Sequence, residues 1–508
     1  MIRTITTELE PGTIRELDSR RRARLEIAFV ILCVAGALLV RLWGMSKLHY
    51  WDENVYLQDA DVLCCGRTNY SEIGSRPPLQ SILFAGAFLL WHSDYAAWIL
   101  TALLNVAGPV FLYLAGRRLV GKIAAGIAAL LLAFTPYFAG ILPDGAGGLV
   151  RDIGGHSLLA DCPAVSLILL SLWLLLRALE KQTDLRFASA GFALALTVLI
   201  RFGSLSSVGV LSLLLLAAHR RVRAVLACGA GFAVGVGPYL GWSRLRYGGF
   251  LATIRQNWSS FLGPVQPFFF YVHDFILIFS WLTVAGLALW FVRTAWQAWR
   301  RSAVASRAEF LGYSRQRWEA FLALWAFAIL LFFSVLSHKE QRYILPVAPP
   351  LFLLAGVGLG WLVEGHRRVA RMGGAVALVA LLIAGFWPVG QRFDSGFIDP
   401  TVSEEMTVSD FLQHTFSAST LLYANQNYPD FAYYSGLKIS VLPEHGDRLY
   451  QSLGHLPADG IVIAYKLDED NPGAEPALGW LDANPHYRRL REFPSLVVYE
   501  YHAVLPKS

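Results

Sequence analysis

Apolar runs near 20 residues recur from Leu25 to Val389, separated by short polar segments. Each is long enough to cross a hydrocarbon core of about 30 Å at about 1.5 Å per residue, so the pattern predicts a polytopic helical bundle in a membrane. The pattern changes at Gly390. From there to Ser508 the apolar runs shorten to strand length, as in "TLLYA", "GIVIAY" and "SLVVYEY", and predict a soluble α/β domain. The expected organisation is a transmembrane domain over 1–389 and an extracytoplasmic α/β domain over 390–508.

Basic clusters orient the bundle, because Lys and Arg collect in cytoplasmic loops. They stand at Arg20 to Arg24, at Arg117, Arg118 and Lys122, from Arg177 to Arg186, at 219–223, from Arg293 to Arg317 and at 366–371. If the 13-residue run "LQSILFAGAFLLW" at 79–91 spans, the cluster at 117–122 falls outside and every later one inverts. If that short run lies at the interface instead, all six clusters face the cytoplasm. This threading gives about eleven spans, near 25–44, 95–116, 121–142, 158–178, 186–201, 203–218, 224–243, 273–293, 318–337, 346–364 and 372–389. It places the N-terminus in the cytoplasm and the C-terminal domain outside an inner, or plasma, membrane.

Composition agrees. The 508 residues are 55% hydrophobic and include 16 Trp, 20 Tyr and 31 Phe, too apolar for a soluble protein of that length. The net charge of +6 arises from loop clusters rather than from one basic face, which argues for membrane topology and against nucleic acid. Five scattered cysteines form no disulfide framework; only the adjacent Cys64 and Cys65 stand out, and a bridge between neighbours is not expected.

The same threading collects the polar chemistry on the outer face. Asp52 and Glu53, in "WDENVY", offer carboxylates just outside the membrane, able to accept a proton from a hydroxyl or to hold a divalent cation. Arg76, in "SRPPL", stands where two prolines start the interfacial helix, and an arginine fork there suits a lipid phosphate. Asp161 falls inside a span, where an unpaired acid costs about 2.5–3.5 kcal/mol at mid-bilayer and less near the edge. Arg151, Asp152 and His156 precede it in a glycine-rich loop, and Arg201 marks an outer turn as a second cation for phosphate. In "SHKEQRYILP" the residues His338, Glu340 and Arg342 alternate, so an extended segment would turn all three toward one cavity, with Tyr343 beside them. No cofactor is certain; a divalent cation, if used, would fall to Asp52 and Asp161.

An acidic pair after the first span, a basic-Pro-Pro-Leu segment, an acid heading a middle span and a HKE-x-R-aromatic loop together resemble the GT-C superfamily of integral-membrane glycosyltransferases. The first two motifs look like the protein O-mannosyltransferase and aminoarabinose transferase branch, with Arg76 where lysine is usual. The last looks like the lipid-linked-oligosaccharide mannosyltransferases, with Tyr343 in the aromatic position. The resemblance implies an inverting transferase that takes a sugar from a polyprenyl-phosphate donor to a lipid, glycan or protein acceptor. By position, Asp52 would be the catalytic carboxylate and Glu53 its neighbour. Arg76 would bind donor phosphate, and His338, Glu340 and Arg342 would line the donor pocket. A transporter or flippase for a lipid-linked substrate is the alternative, and it would favour internal repeats and midplane charges.

Overall fold

The structure, a computed structural model, describes residues 11–43, 51–66, 69–73, 76–140, 142–143, 149–150, 157–218, 222–259, 266–302, 314–364, 368–394, 403–443, 446–466 and 477–503. Arg151, Asp152 and His156 lie outside them, as do parts of the basic clusters at 219–223, 293–317 and 366–371.

The eleven apolar runs all fall on helices. In chain order these are α1 (Pro11–Leu42), α4 (Asp94–Leu119), α5 (Lys122–Phe134), α7 (Asp161–Lys181), α8 (Asp184–Ile200), α9 (Leu205–Ala218), α10 (Val222–Tyr247), α12 (Phe270–Ser302), α13 (Ser314–Val335), α14 (Ala348–Trp361) and α15 (Arg368–Asp394). Among the described residues eight are long and apolar enough to cross a membrane, and α5, α8 and α9 are shorter. The run expected at the interface is the 12-residue α3 (Leu79–Leu90), which begins directly after Pro78, where proline's missing N–H is harmless. A single helical turn at Pro136–Ala139 (α6) and a helix of about two turns at Ala252–Ser259 (α11) link longer elements. α2 (Trp51–Cys65) precedes α3.

Burial orders the bundle. In the most apolar 18 residues of Gln341–Trp361, 94% of the residues are buried and this stretch forms the centre, whereas in those of Val369–Trp387 only 6% are buried and its apolar surface faces outward. The polar loop at 338–343 is therefore delivered to the middle of one end of the bundle. Close packing depends on small residues, as is common where helices meet in lipid. At the α8–α10 crossing a Cβ on Gly191 would sit 1.9 Å from Cys228 O, and one on Gly231 would sit 1.9 Å from Ala188 O.

The C-terminal part is a five-stranded sheet in the order β4-β3-β5-β7-β6. The three quoted strand motifs become β3 (Leu421–Ala424), β5 (Gly460–Tyr465) and β7 (Leu496–Tyr501). β4 (Lys438–Val441) and β6 (Tyr487–Glu492), more polar, complete the sheet; β3 runs parallel to β4 and β5, and β7 antiparallel to β5 and β6. A two-residue pair, β1 (Leu142–Pro143) and β2 (Leu149–Val150), lies earlier in the chain. The helices of this part are α16 (Glu404–Thr415), α17 (Tyr428–Ser435), α18 (Asp447–Gly454) and α19 (Leu478–Ala483).

α17 docks directly on α2. Asn54 Nδ2 donates to Asp430 Oδ1 at 2.6 Å, Gln58 Nε2 donates to Pro429 O at 2.9 Å, and Trp51 packs edge-on against Tyr428 with ring centroids 4.5 Å apart. One expectation fails outright. Cys64 and Cys65, at the end of α2, are joined in a vicinal disulfide. They are the last two residues of α2, and Gly66, which follows, takes a left-handed φ of 70° that ends the helix.

Candidate functional site

α2 opens with Asp52 and Glu53 in its first turn, where exposed backbone N–H groups favour carboxylates. Neighbours on a helix diverge by roughly 100°, and the two acids accordingly face different surroundings. Glu53 turns inward and is buried; its Oε1 accepts the Leu158 N–H at 2.5 Å. Gln80 Nε2 of α3 donates to the Leu158 carbonyl at 3.1 Å. The main chain just before Asp161 is thus clasped from two helices, and Glu53 fastens the segment that presents Asp161.

Asp52 faces two arginines from different elements. Arg76 Nη2 stands 2.9 Å from its Oδ1, and Arg342 Nη1 donates to its Oδ2. Each guanidinium is fixed from behind: Glu72 Oε2 accepts from Arg76 Nε at 2.7 Å, and Glu340 accepts from Arg342 Nε. Glu340 also accepts the Tyr343 hydroxyl at 2.6 Å and stands 3.1 Å from His338 Nε2. The backbone is extended at Glu340 and then enters a 3₁₀ turn at Gln341–Val347. The alternation read from sequence therefore holds as far as the contacts of Glu340 with His338 and Arg342. Lys339, between them, points the other way, buried, and its Nζ donates to Gln266 O at 2.9 Å.

Arg201 caps the end of α8. Its Nη1 lies 2.8 Å from Asp161 Oδ1, and its guanidinium rides over the Tyr343 ring at 5.4 Å, while Arg342 stands 5.9 Å from the same ring. Of the twelve residues singled out from sequence, Arg151, Asp152 and His156 lie outside the described residues, eight are linked in one network, and Glu53 supports it from outside.

The charges decide the chemistry. Burial alone would raise the Asp52 pKa, but Arg342 and Arg76 outweigh it and hold the carboxyl well below the usual range. Glu340 is also held low, since Arg342 outweighs its burial. Asp52 is therefore ionised at working pH, yet a weak base while both arginines grip it. An anion arriving at Arg76 and Arg342 would compete for those guanidinium groups and so return basicity to Asp52.

Beside Arg76 opens an apolar groove of about 380 Å³, lined by Leu63, Ile82, Leu199, Pro238, Tyr239 and Trp242, with Asp59 at its edge. Asp59 accepts hydrogen bonds from Ser71 Oγ and from the Glu72 N–H, both at 2.8 Å, which sets Glu72 behind Arg76. Burial pushes the Asp59 carboxyl up to about 7. Glu72 and Asp59 were missed in the sequence; the signal for Glu72 is its place four residues before Arg76. Asp52 and Asp161 each face arginine. Among the described residues, the ligand atoms of three or more acids, histidines or cysteines gather closely enough for one ion only at Asp61, Cys64, Cys65 and His92.

Comparison with known proteins bears out the resemblance drawn from the motifs. Residues 75–242 match the family described as dolichyl-phosphate-mannose-protein mannosyltransferase. Among curated proteins no relative matches. The fold is similar to ArnT from Cupriavidus metallidurans, solved both in the apo state (18% identity, TM-score 0.64) and bound to undecaprenyl phosphate (16%, TM-score 0.63), each covering 95% of this chain and 99% of that one. It is also similar to the archaeal oligosaccharyltransferase AglB from Archaeoglobus fulgidus, solved with an inhibitory peptide and a dolichol-phosphate: 14% identity, TM-score 0.52, covering 82% of this chain and 64% of that one. The chain is an integral membrane protein with the fold of the GT-C glycosyltransferases.

Proposed function

We propose that this chain is an inverting glycosyltransferase that moves a sugar, hexose or pentose, from a polyprenyl-phosphate donor to a lipid, glycan or protein acceptor at the extracytoplasmic or luminal face of the membrane. The observation that carries the reading is the convergence of Arg76 and Arg342 on the two oxygens of Asp52 beside an apolar groove. A groove of apolar walls with a fixed cation at its edge suits a lipid tail ending in a phosphate. ArnT and AglB, of the same fold, have been solved with undecaprenyl phosphate and dolichol-phosphate.

In this reading the donor phosphate takes the place of Asp52 on the two arginines. Arg76 and Arg342 hold the phosphate as it departs; its charge is already present, so cations matter more than a general acid. Glu72 and Glu340 keep the two forks aimed. Asp52, released from its ion pairs, accepts the proton of the acceptor hydroxyl on the face of the sugar opposite the phosphate. One carboxylate acting through one displacement inverts the anomeric centre. Arg201, paired with Asp161 and stacked on Tyr343, steadies the same wall of the site, and His338 acts through Glu340. The soluble domain at the outer side braces α2 through Asn54 and Gln58.

Purified protein supplied with polyprenyl-phosphate sugar and candidate acceptors tests this directly. Transferase activity releases free polyprenyl phosphate in step with glycosylated acceptor. Movement of the intact lipid-linked sugar across vesicles without release of polyprenyl phosphate would instead make the chain a transporter or flippase.

A further inference from the structure

The far end of α2, away from Asp52, carries a second group of chemical side chains that the proposed reaction does not use. Asp61, Cys64 and Cys65 lie at spacings of three and four along the helix and so share one face, and His92 reaches them from the turn between α3 and α4. The His92 ring packs against Phe88 with centroids 5.1 Å apart, and its Nε2 stands 2.6 Å from Asp61 Oδ1. One ligand atom from each of the four residues lies within 4.8 Å of all the others.

We propose that Asp61, Cys64, Cys65 and His92 form a binding site for a zinc-class divalent metal in the dithiol form of the chain, and that the vicinal disulfide is the metal-free form of the same site. Two thiolates, an imidazole and a carboxylate are the ligand types zinc takes in closed tetrahedral sites. Neighbouring ligand atoms in such a site stand about 3.3–3.8 Å apart, given bonds of about 2.0–2.3 Å. The separations here need only small side-chain movements to fit. That Cys64 and Cys65 can be bonded shows that their sulfurs converge on one point. A solvent-open cavity of about 220 Å³, lined in part by Asp61 and His92, gives an ion its path of entry.

The exchange balances. A dithiol reductant gives two electrons and two protons to the Cys64–Cys65 bond, which opens to two thiols while the reductant closes to its own disulfide. The metal then displaces both thiol protons to solvent and binds the two thiolates. The ion would tie the end of α2 to the turn before α4, a link that the disulfide, confined to α2, does not make.

Full-length protein in detergent tests the site without any activity measurement. One portion is reduced with a dithiol and the other left oxidised; both are exposed to zinc chloride, passed into metal-free buffer and counted for zinc. The proposal expects one more zinc per chain in the reduced portion, and cobalt in its place should show thiolate-to-metal charge-transfer absorption. His92→Ala, and Cys64→Ser with Cys65→Ser, should abolish that difference. Equal zinc in both portions, or zinc retained by the double serine variant, would overturn it. Should that variant fail to fold, alkylation of Cys64 and Cys65 in the reduced native chain, located by mass spectrometry, must abolish the extra zinc. Survival of the zinc after alkylation refutes the site equally.

Discussion

Arg342→Met isolates the electrostatic part of the account. In the wild type Arg342 donates to both Asp52 and Glu340, and the Arg342 and Asp52 side chains are 17% and 15% exposed, so the pairing is partly shielded from water. Each charge-assisted hydrogen bond lost contributes about 1.5–3 kcal/mol, toward the low end where water screens. Loss of one cation holding a departing phosphate costs about 2.7–4 kcal/mol in the transition state, which is a ~10²–10³-fold fall in kcat/KM. Arg342→Lys keeps the charge but not a fork that reaches two acids, and should fall by roughly tenfold. The pH profile separates this from simple damage. In Arg342→Met burial acts on Asp52 against Arg76 and, more weakly, Arg201, so its pKa rises, and the acid limb of kcat/KM, which reports the free enzyme, moves to higher pH. Turnover of the lipid-linked sugar measured from acid to neutral pH shows the limb. A variant that loses activity while its acid limb stays where the wild type has it would refute the coupling of Arg342 to Asp52.

The other predictions concern donor binding, the domain contact and topology. Arg76→Ala should raise the Michaelis constant for the lipid donor and Arg76→Lys should do so only modestly; an unchanged donor constant in Arg76→Ala removes the phosphate role. Burial pushes Asp430 up to about 7 against the opposing hydrogen bond from Asn54, so the folded chain binds a proton there that the unfolded chain releases near pH 4. Its contribution to stability is thus full below about pH 4 and is lost as pH rises to about 7, and Asp430→Asn should flatten that slope in thermal denaturation across the window. Cysteine probes in the C-terminal domain should react with an impermeant reagent from outside while probes at 219–223 are spared, and the reverse would overturn the orientation.

The fold was legible because lipid imposes length and apolarity on every span, and the strands β3, β5 and β7 because they are buried and apolar. β4 and β6 were not, since alternating or charged edge strands such as "YRRLRE" carry little apolar signal. Asp52, Arg76 and Arg342 were legible as charges at the ends of apolar runs. What the sequence concealed is partnership. Nothing local says that Arg342 meets an acid 290 positions away, or that Glu53 turns from its neighbour to hold Leu158. The bridge between Cys64 and Cys65 was likewise hidden, because two adjacent cysteines carry no local signal of whether they bond.

Asp52→Asn separates Asp52 as the base of a sugar transfer from a lipid phosphate from any other placement of that base. The amide keeps the size and one acceptor oxygen but loses charge and basicity. Purified Asp52→Asn should therefore turn over the lipid-linked sugar ~10²–10⁴-fold more slowly than the wild type while remaining folded, with a melting temperature lowered by the loss of its pairs to Arg76 and Arg342. Glu53→Gln keeps an oxygen for the Leu158 N–H and should lose much less. Near-normal turnover by Asp52→Asn would remove Asp52 as the base.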